Sequence, residues 1–304
     1  MLLLTHPACL AHSAGPGHPE SPSRLQAVLE ALADDRFAQL SRVEAPRVTR
    51  EQLLRTHDAA LIDLVFDNAP QDGYVRLDAD TAMSPDSLEA ALRAAGAVCA
   101  AVDAAIEGEA ARAFCAVRPP GHHATRDTAM GFCLFNSIAV GAAHALARGV
   151  ERVAIVDFDV HHGNGSQDIF WTQPNVLYLS THQSPLYPGT GARSETGAGN
   201  IVNAPLPPGS GSREFRAAFE QLILPALRAF RPQLLMISAG FDAHRLDPLA
   251  DINLDADDYA WATRQLVTIA QAHAEGRIVS SLEGGYSLTA LRESTAAHVA
   301  ALLD

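Results

Sequence analysis

The chain has 304 residues, 48% hydrophobic and 19% charged, which gives it enough apolar side chain for a sizeable core and excludes a disordered protein. Its formal charge is -13 and all of its 22 basic residues are Arg, so it lacks the clustered basic surface that nucleic-acid binding requires, and its field favours cationic partners. No apolar stretch is long and charge-free enough to span a bilayer, and Cys9, Cys99, Cys115 and Cys133 form no CxxC pair, so a zinc ribbon and a redox dithiol are excluded and a reducing cytoplasm is expected.

The opening Met1 to Leu4 lacks a basic n-region and runs straight into Thr5, His6 and Pro7, which predicts a first strand and not a signal peptide. Residues 66 to 87, rich in Pro, Gly, Ser and Asp, read as a long loop. A helix is predicted from Ser84 to Gly108, with Ser84 as cap, Pro85 at the first helical position and a glycine stop. Strands are predicted at Phe114 to Val117, Val153 to Val156 and Val176 to Ser180, followed by a second long loop over 181 to 213. A strand at Leu234 to Ser238, a helix from about Asp255 to Gly276 and a strand at Arg277 to Leu282 complete the pattern. Apolar runs alternating with Ala/Leu-rich helical segments predict α/β architecture: one domain over 1 to 304, a parallel sheet with helices on both faces.

Five of the predicted strands lead into polar clusters: RPPGHHA (118 to 124), DFDVHHGNG (157 to 165), THQSPLYPGTG (181 to 191), AGFDAH (239 to 244) and EGGYS (283 to 287). In open α/β sheets ligands bind outside the carboxyl ends of the strands, so the five are expected to converge on one rim. Alternate strand residues face one way, which places Asp157, Asp159 and His161 on one side and His162, expected to be structural, on the other. Two partly buried carboxylates repel each other and lose solvation, a situation relieved by a proton, by donated hydrogen bonds or by a cation. Taken alone, D-x-D-x-H fits a hydrogen-bonded strand end as well as a ligand set. Asp242, after its own apolar run, is either a helix cap or a third oxygen ligand, and an Asp/His/Asp set leaves coordination positions open, as catalytic zinc requires. His122 and His123, behind a rigid Pro-Pro-Gly approach, suit proton transfer near neutral pH or a structural role. Tyr286, behind two glycines, is either a donor to an oxyanion or a core tyrosine.

In combination, RPPGHHA, GFCLFNS (131 to 137), VDFDVHHGNG (156 to 165), YPGTG (187 to 191), SAGFDAH (238 to 244) and LEGGYS (282 to 287) resemble the zinc-dependent histone deacetylase family, including its bacterial amidohydrolase members. The resemblance runs from about His18 to Tyr286 and implies an arginase/deacetylase-like fold with the active site at the C-terminal ends of the strands. It implies one Zn2+ per chain on Asp159, His161 and Asp242. It further implies that His122 and His123 are the proton-transfer pair with His123 as general base, that Asp157 hydrogen-bonds the first histidine, and that Tyr286 holds the oxyanion. Asp157, Asp159 and the backbone around His161, Ser180 and Thr181 match a monovalent-cation site for K+. Phe132, next to Gly131, and Tyr187 match the walls of an acyl-lysine tunnel, and Asp80 is placed like a rim aspartate that contacts substrate backbone. Asn164 stands where part of the family pairs the second histidine with an aspartate.

The expected activity is a cytoplasmic hydrolase that removes acetyl or other acyl groups from lysine side chains in peptides or proteins, with no nucleic acid or membrane as direct partner and room for a homo-oligomer. An acetylpolyamine amidohydrolase is the alternative within the same chemistry, although Leu249 occupies the place of a gatekeeper acid found in such enzymes. A binding protein that kept the fold and lost catalysis, and an arginase-like two-metal hydrolase, are the alternatives from other classes.

Overall fold

The computed structural model describes residues 1 to 304. In chain order the strands are β1 (Leu2–Thr5), β2 (Ser41–Glu44), β3 (Val75–Arg76), β4 (Ala82–Met83), β5 (Arg112–Cys115), β6 (Val153–Asp157), β7 (Val176–Gln183), β8 (Ile201–Leu206), β9 (Leu234–Ala239) and β10 (Ile278–Leu282). Eight of them form one sheet in the order β2-β1-β5-β10-β9-β6-β7-β8, with every neighbouring pair parallel. β3 and β4 pair antiparallel as a separate small hairpin.

Helices flank the sheet and cover its strands. β6, β7, β9 and β10 are therefore buried at every residue; β6 and β9 are mainly apolar along their length, while β7 ends in buried Ser180, Thr181, His182 and Gln183 and β10 carries buried Ser280 and Ser281, so none of them alternates between a core face and a solvent face. Among these helices, Ser87–Glu107 packs on Ser137–Ala147, and Ala256–His273 packs on Leu288–Leu303.

Several predicted boundaries move. The first long helix begins at Ser87 and not at Ser84; the Ser84 carbonyl accepts from Ser87 N–H and its own N–H donates to Ser87 Oγ, so residues 84 to 87 form a turn leading into the helix. Gly108 closes that helix in the left-handed region at φ 79°, as the glycine stop predicts. β5 lies two residues earlier than the predicted Phe114 to Val117, which frees Ala116 and Val117 to lead into the RPPGHH turn. The segment 181 to 213 is not one long loop: β7 continues to Gln183, β8 occupies Ile201–Leu206, and a helix starts at Ser212. β8 contains Pro205, which has no N–H to give; as an edge strand, β8 pairs only with β7 and tolerates it. The loop reading of 66 to 87 holds for residues 68 to 86 apart from the β3/β4 hairpin; Phe66 and Asp67 close the helix Ala59–Asp67, and Ser87 opens the next.

The chain leaves β6 toward β7 on one side and β9 toward β10 on the other, so β6 and β9 are neighbours at which the winding direction reverses. Such a reversal leaves a crevice beyond the carboxyl ends of the two strands. β10 and β5 come next to β9, which brings four of the five polar clusters to the centre of one rim.

Candidate active site

β6 ends at Asp157, and the regular ladder does not extend to Asp159 or His161. The alternation continues by another means. Asp157 Oδ1 accepts from Asp159 N–H at 3.1 Å, and Asp159 Oδ1 accepts from His161 N–H at 2.9 Å. Two successive side-chain-to-backbone bonds of this kind shape the segment, alongside single backbone bonds to the flanking strands, from Phe158 N–H to Ser238 O at 3.2 Å and from Gln183 N–H to Val160 O at 2.8 Å. The expectation that all three side chains share one side is corrected in part. Asp157 Oδ2 turns to His122 Nδ1 at 3.0 Å and accepts from Tyr178 Oη at 3.0 Å, whereas Asp159 and His161 meet Asp242 from the end of β9.

His161 Nδ1 lies 3.2 Å from Asp159 Oδ1 and 3.1 Å from Asp242 Oδ2. Ligands at about 2.0–2.1 Å from a tetrahedral metal are separated by roughly 3.3 Å, so these spacings, with two oxygens and one nitrogen, fit one metal ion with a coordination position left open. The acids are set by backbone donors: Asp242 Oδ1 accepts from Val160 N–H at 2.8 Å and Asp159 Oδ2 from Gly284 N–H at 2.8 Å. Gly240 and Gly284 allow this packing, since a Cβ at Gly240 would overlap the Asp159 carboxylate and one at Gly284 would overlap both acids. Without a metal, burial disfavours the His161 cation, but its bonds to Asp159 and Asp242 outweigh that and raise its pKa to about 10. The triad therefore holds its shared proton on His161.

His122 and His123 diverge as adjacent residues, with ring centroids 4.1 Å apart. Burial works against the His122 cation, but Asp157, Asp159 and Glu283 overcome it and raise its pKa well above the usual range. His123 is pushed well below that range by burial and by the neighbouring His122 and His161. His123 Nδ1 is 2.8 Å from Asn164 Oδ1, while Asn164 Nδ2 points to Met130 Sδ at 3.4 Å. With the amide so oriented, Nδ1 carries the hydrogen and Nε2 is a free acceptor.

A cavity of about 260 Å³ leads to this point, lined by Phe132, Tyr187, Leu249, Tyr286, His123 and His161, with Asp80, Gly131 and Leu186 completing it. Tyr187 stands edge-on to His123 at 5.1 Å and Phe132 edge-on to Tyr286 at 6.0 Å. Burial keeps the Tyr286 phenol protonated, and the Arg24 guanidinium lies 4.8 Å above its ring. Phe132 has φ 69°, a left-handed conformation that costs a bulky residue energy and needs support. The support comes from the opposite loop. Thr81 Oγ1 accepts from Phe132 N–H at 3.1 Å, and Asp80 Oδ1 accepts from Gly131 N–H at 3.1 Å and from the Thr81 hydroxyl at 2.9 Å.

Ser180 faces Asp157 in the β6/β7 register, with its hydroxyl 2.8 Å from His182 Nδ1, and Thr181 follows on the same strand. His162 has both ring nitrogens engaged, by Thr190 Oγ1 at 2.7 Å and Gln167 Oε1 at 3.1 Å.

Sequence reasoning missed four contributors. Tyr178 donates to Asp157; Arg24 backs Tyr286; Glu283 accepts from Gly121 and His122 N–H through Oε2, leaving Oε1 unpartnered in a buried site; and Asp247 accepts from Tyr286 N–H. Glu283 lies inside EGGYS and Asp247 stands two residues before Leu249, both stretches already singled out, whereas nothing local marks Tyr178 or Arg24.

No helix is long and apolar enough to cross a membrane. The family model described as the histone deacetylase domain matches residues 18–302. A histone deacetylase-like amidohydrolase of Pseudomonas aeruginosa is 41% identical over 305 residues, covering 92% of this chain and 80% of its own. A probable deacetylase of Archaeoglobus fulgidus is 38% identical over 293 residues, covering 94% and 81%. The crystal structure of the HDA15 HD domain superposes with a TM-score of 0.93 at 36% identity, covering 100% of this chain and 91% of that one. With its parallel sheet, its rim of acids and histidines and these matches, the chain belongs to the histone deacetylase family.

Proposed function

We propose that the chain is a zinc-dependent amidohydrolase that removes acetyl or other acyl groups from lysine side chains of peptides or proteins. The observation that carries this reading is the joint position of Asp159, His161 and Asp242 at the floor of a narrow aromatic cavity whose wall also presents His123 and Tyr286. Asp159, His161 and Asp242 would hold the zinc, which when bound supplies a Lewis acid and lowers the pKa of water toward neutrality. Asp157 and Asp159, with Ser180, Thr181 and the backbone near His161, would hold a structural K+.

His123, kept neutral by burial and presenting a free Nε2, accepts the proton of the attacking water, and the Asn164 carbonyl steadies the opposite nitrogen. His122, kept cationic by Asp157 and its neighbours, returns a proton to the departing amine. The Tyr286 phenol donates to the developing oxyanion. Phe132 and Tyr187 flank the alkyl chain and exclude water. Leu249 lines the mouth with an apolar side chain, which favours an acyl-lysine over a charged polyamine.

The test is a panel of acetyl-lysine and longer acyl-lysine peptides and acetylpolyamines on enzyme of defined metal content, with His123→Ala as control. Release of carboxylic acid from lysine peptides, lost in the control, is the expected result. No release from any amide would favour the binding-protein reading, and two metal ions per chain would favour the arginase-like one.

A further inference from the structure

We infer that Asp247 is a positioning residue for Tyr286, locking the phenol in register with the mouth of the cavity. This rests on the reading of Tyr286 as the oxyanion donor and adds what holds it there.

Asp247 is 7% exposed and meets no cationic side chain at salt-bridge distance. Its carboxylate is satisfied by three backbone donors from two segments. Oδ2 accepts from Tyr286 N–H at 2.7 Å and from Ser287 N–H at 3.3 Å, and Oδ1 accepts from Leu249 N–H at 3.1 Å. One side chain thus ties the residue that lines the mouth, Leu249, to the residue that bears the phenol. It does so from the loop that begins with Asp242, five positions earlier in the sequence.

Tyr286 needs such a tie. It follows Gly284 and Gly285, the latter at φ 122°, so no side chain on the two preceding residues restrains the backbone about which the ring would swing. From the other side, Arg24 Nε donates to Gly285 O at 2.6 Å and Nη2 to Glu283 O at 2.5 Å. Arg24 therefore fixes the peptide before Tyr286, and Asp247 fixes the N–H of Tyr286 itself and the start of the helix Leu288–Leu303 behind it. An oxyanion donor is effective only when it is aimed at the place where charge develops. A buried carboxylate held by charge-assisted bonds to N–H groups is a stiff anchor for that purpose.

The experiment is a double-mutant cycle of Asp247→Asn with Tyr286→Phe on zinc-loaded protein and an acetyl-lysine peptide, with kcat, KM, metal content and near-ultraviolet circular dichroism read for each variant. The amide replaces one acceptor oxygen by a donor: with Nδ2 in the place of Oδ1 the Leu249 N–H loses its partner, and with Nδ2 in the place of Oδ2 the N–H groups of Tyr286 and Ser287 both do, so the tie between the two segments is cut in either orientation. Asp247→Asn is expected to lower kcat at least tenfold, to change KM less than threefold and to keep one zinc per chain. In the Tyr286→Phe background it is expected to change kcat less than twofold. The same fold-loss in both backgrounds, or no loss in the wild-type background, overturns the role of Asp247 and leaves that of Tyr286 standing. Near-normal kcat in Tyr286→Phe overturns the reading of the phenol, and the role of Asp247 falls with it. Should the amide variant not fold, Asp247→Glu keeps the charge, moves the carboxylate by one methylene and is judged by the same comparison.

Discussion

Metal uptake by this protein should be a proton-releasing reaction whose affinity climbs steeply with pH. In the metal-free protein His161 Nδ1 lies between Asp159 and Asp242 and holds a proton with a pKa raised to about 10, and a metal on the same three atoms must displace it. At pH 7 the competition spans about three pH units, a factor of about 1000 in affinity, or about 4 kcal/mol. The expected apparent zinc affinity therefore rises about tenfold per pH unit between pH 7.5 and 8.5, with one proton released per ion from His161, and more steeply below pH 7, where Asp242, its carboxyl raised to about 7 by burial and by Asp159, releases a second. The linked effect on the metal-free fold has the opposite sign. The folded pKa of His161 is above its ordinary 6.5, so its contribution to stability is complete below pH 6.5 and is lost as pH rises through about 10. Competition against a chelating dye at several pH values gives the slope, and titration calorimetry in buffers of different ionisation enthalpy gives the proton count. A zinc affinity independent of pH, with no proton released, would refute the assignment of the proton and with it the geometry of the three ligands.

Tyr286→Phe should lower turnover on the order of 100-fold or more while leaving the fold and zinc content unchanged, as for loss of one oxyanion donor; steady-state kinetics decides, and near-normal turnover contradicts the role. Asn164→Asp would place a negative charge 2.8 Å from His123 Nδ1, favour the imidazolium and raise the histidine's pKa. Since the base must be neutral, the acid limb of the kcat/KM profile should move to higher pH, and an unmoved limb would remove His123 from that step. Thr81→Val deletes the hydroxyl that accepts from Phe132 N–H, and should cost about 1–2 kcal/mol of stability in denaturant titrations and raise KM, whereas unchanged values would mean that the wall holds itself.

The sheet was legible because its central strands are buried throughout and so open on short apolar runs, each leading into a polar cluster. β8 was hidden by its own chemistry: an edge strand tolerates Pro205, and the Gly-rich residues before it resemble loop. For the site, residue type and spacing pointed to Asp159, His161 and Asp242, which the fold brings together from neighbouring strands. Spacing did not separate Asp157 from them, because two successive side-chain-to-backbone bonds reorient the chain after β6 and send the first acid to His122. Glu283 lies within EGGYS and Asp247 two residues before Leu249, but both act by accepting backbone N–H groups, a role residue type does not reveal, and Arg24 acts through contacts more than 250 residues away in sequence, which no local pattern records.

The left-handed Phe132 has a consequence for how this protein can change its substrates. Its aromatic wall is not set by its own rotamer alone; the wall is propped from behind by the loop that carries Asp80 and Thr81. On the proposed reading, selection among acyl chains can therefore act on the prop and leave Phe132 unchanged. Drift in that loop, which includes the exposed turn before β4, would retune the bore of the cavity while Phe132, Tyr187 and Tyr286 stay the same. Two chains with the same three aromatic walls can thus present cavities of different bore.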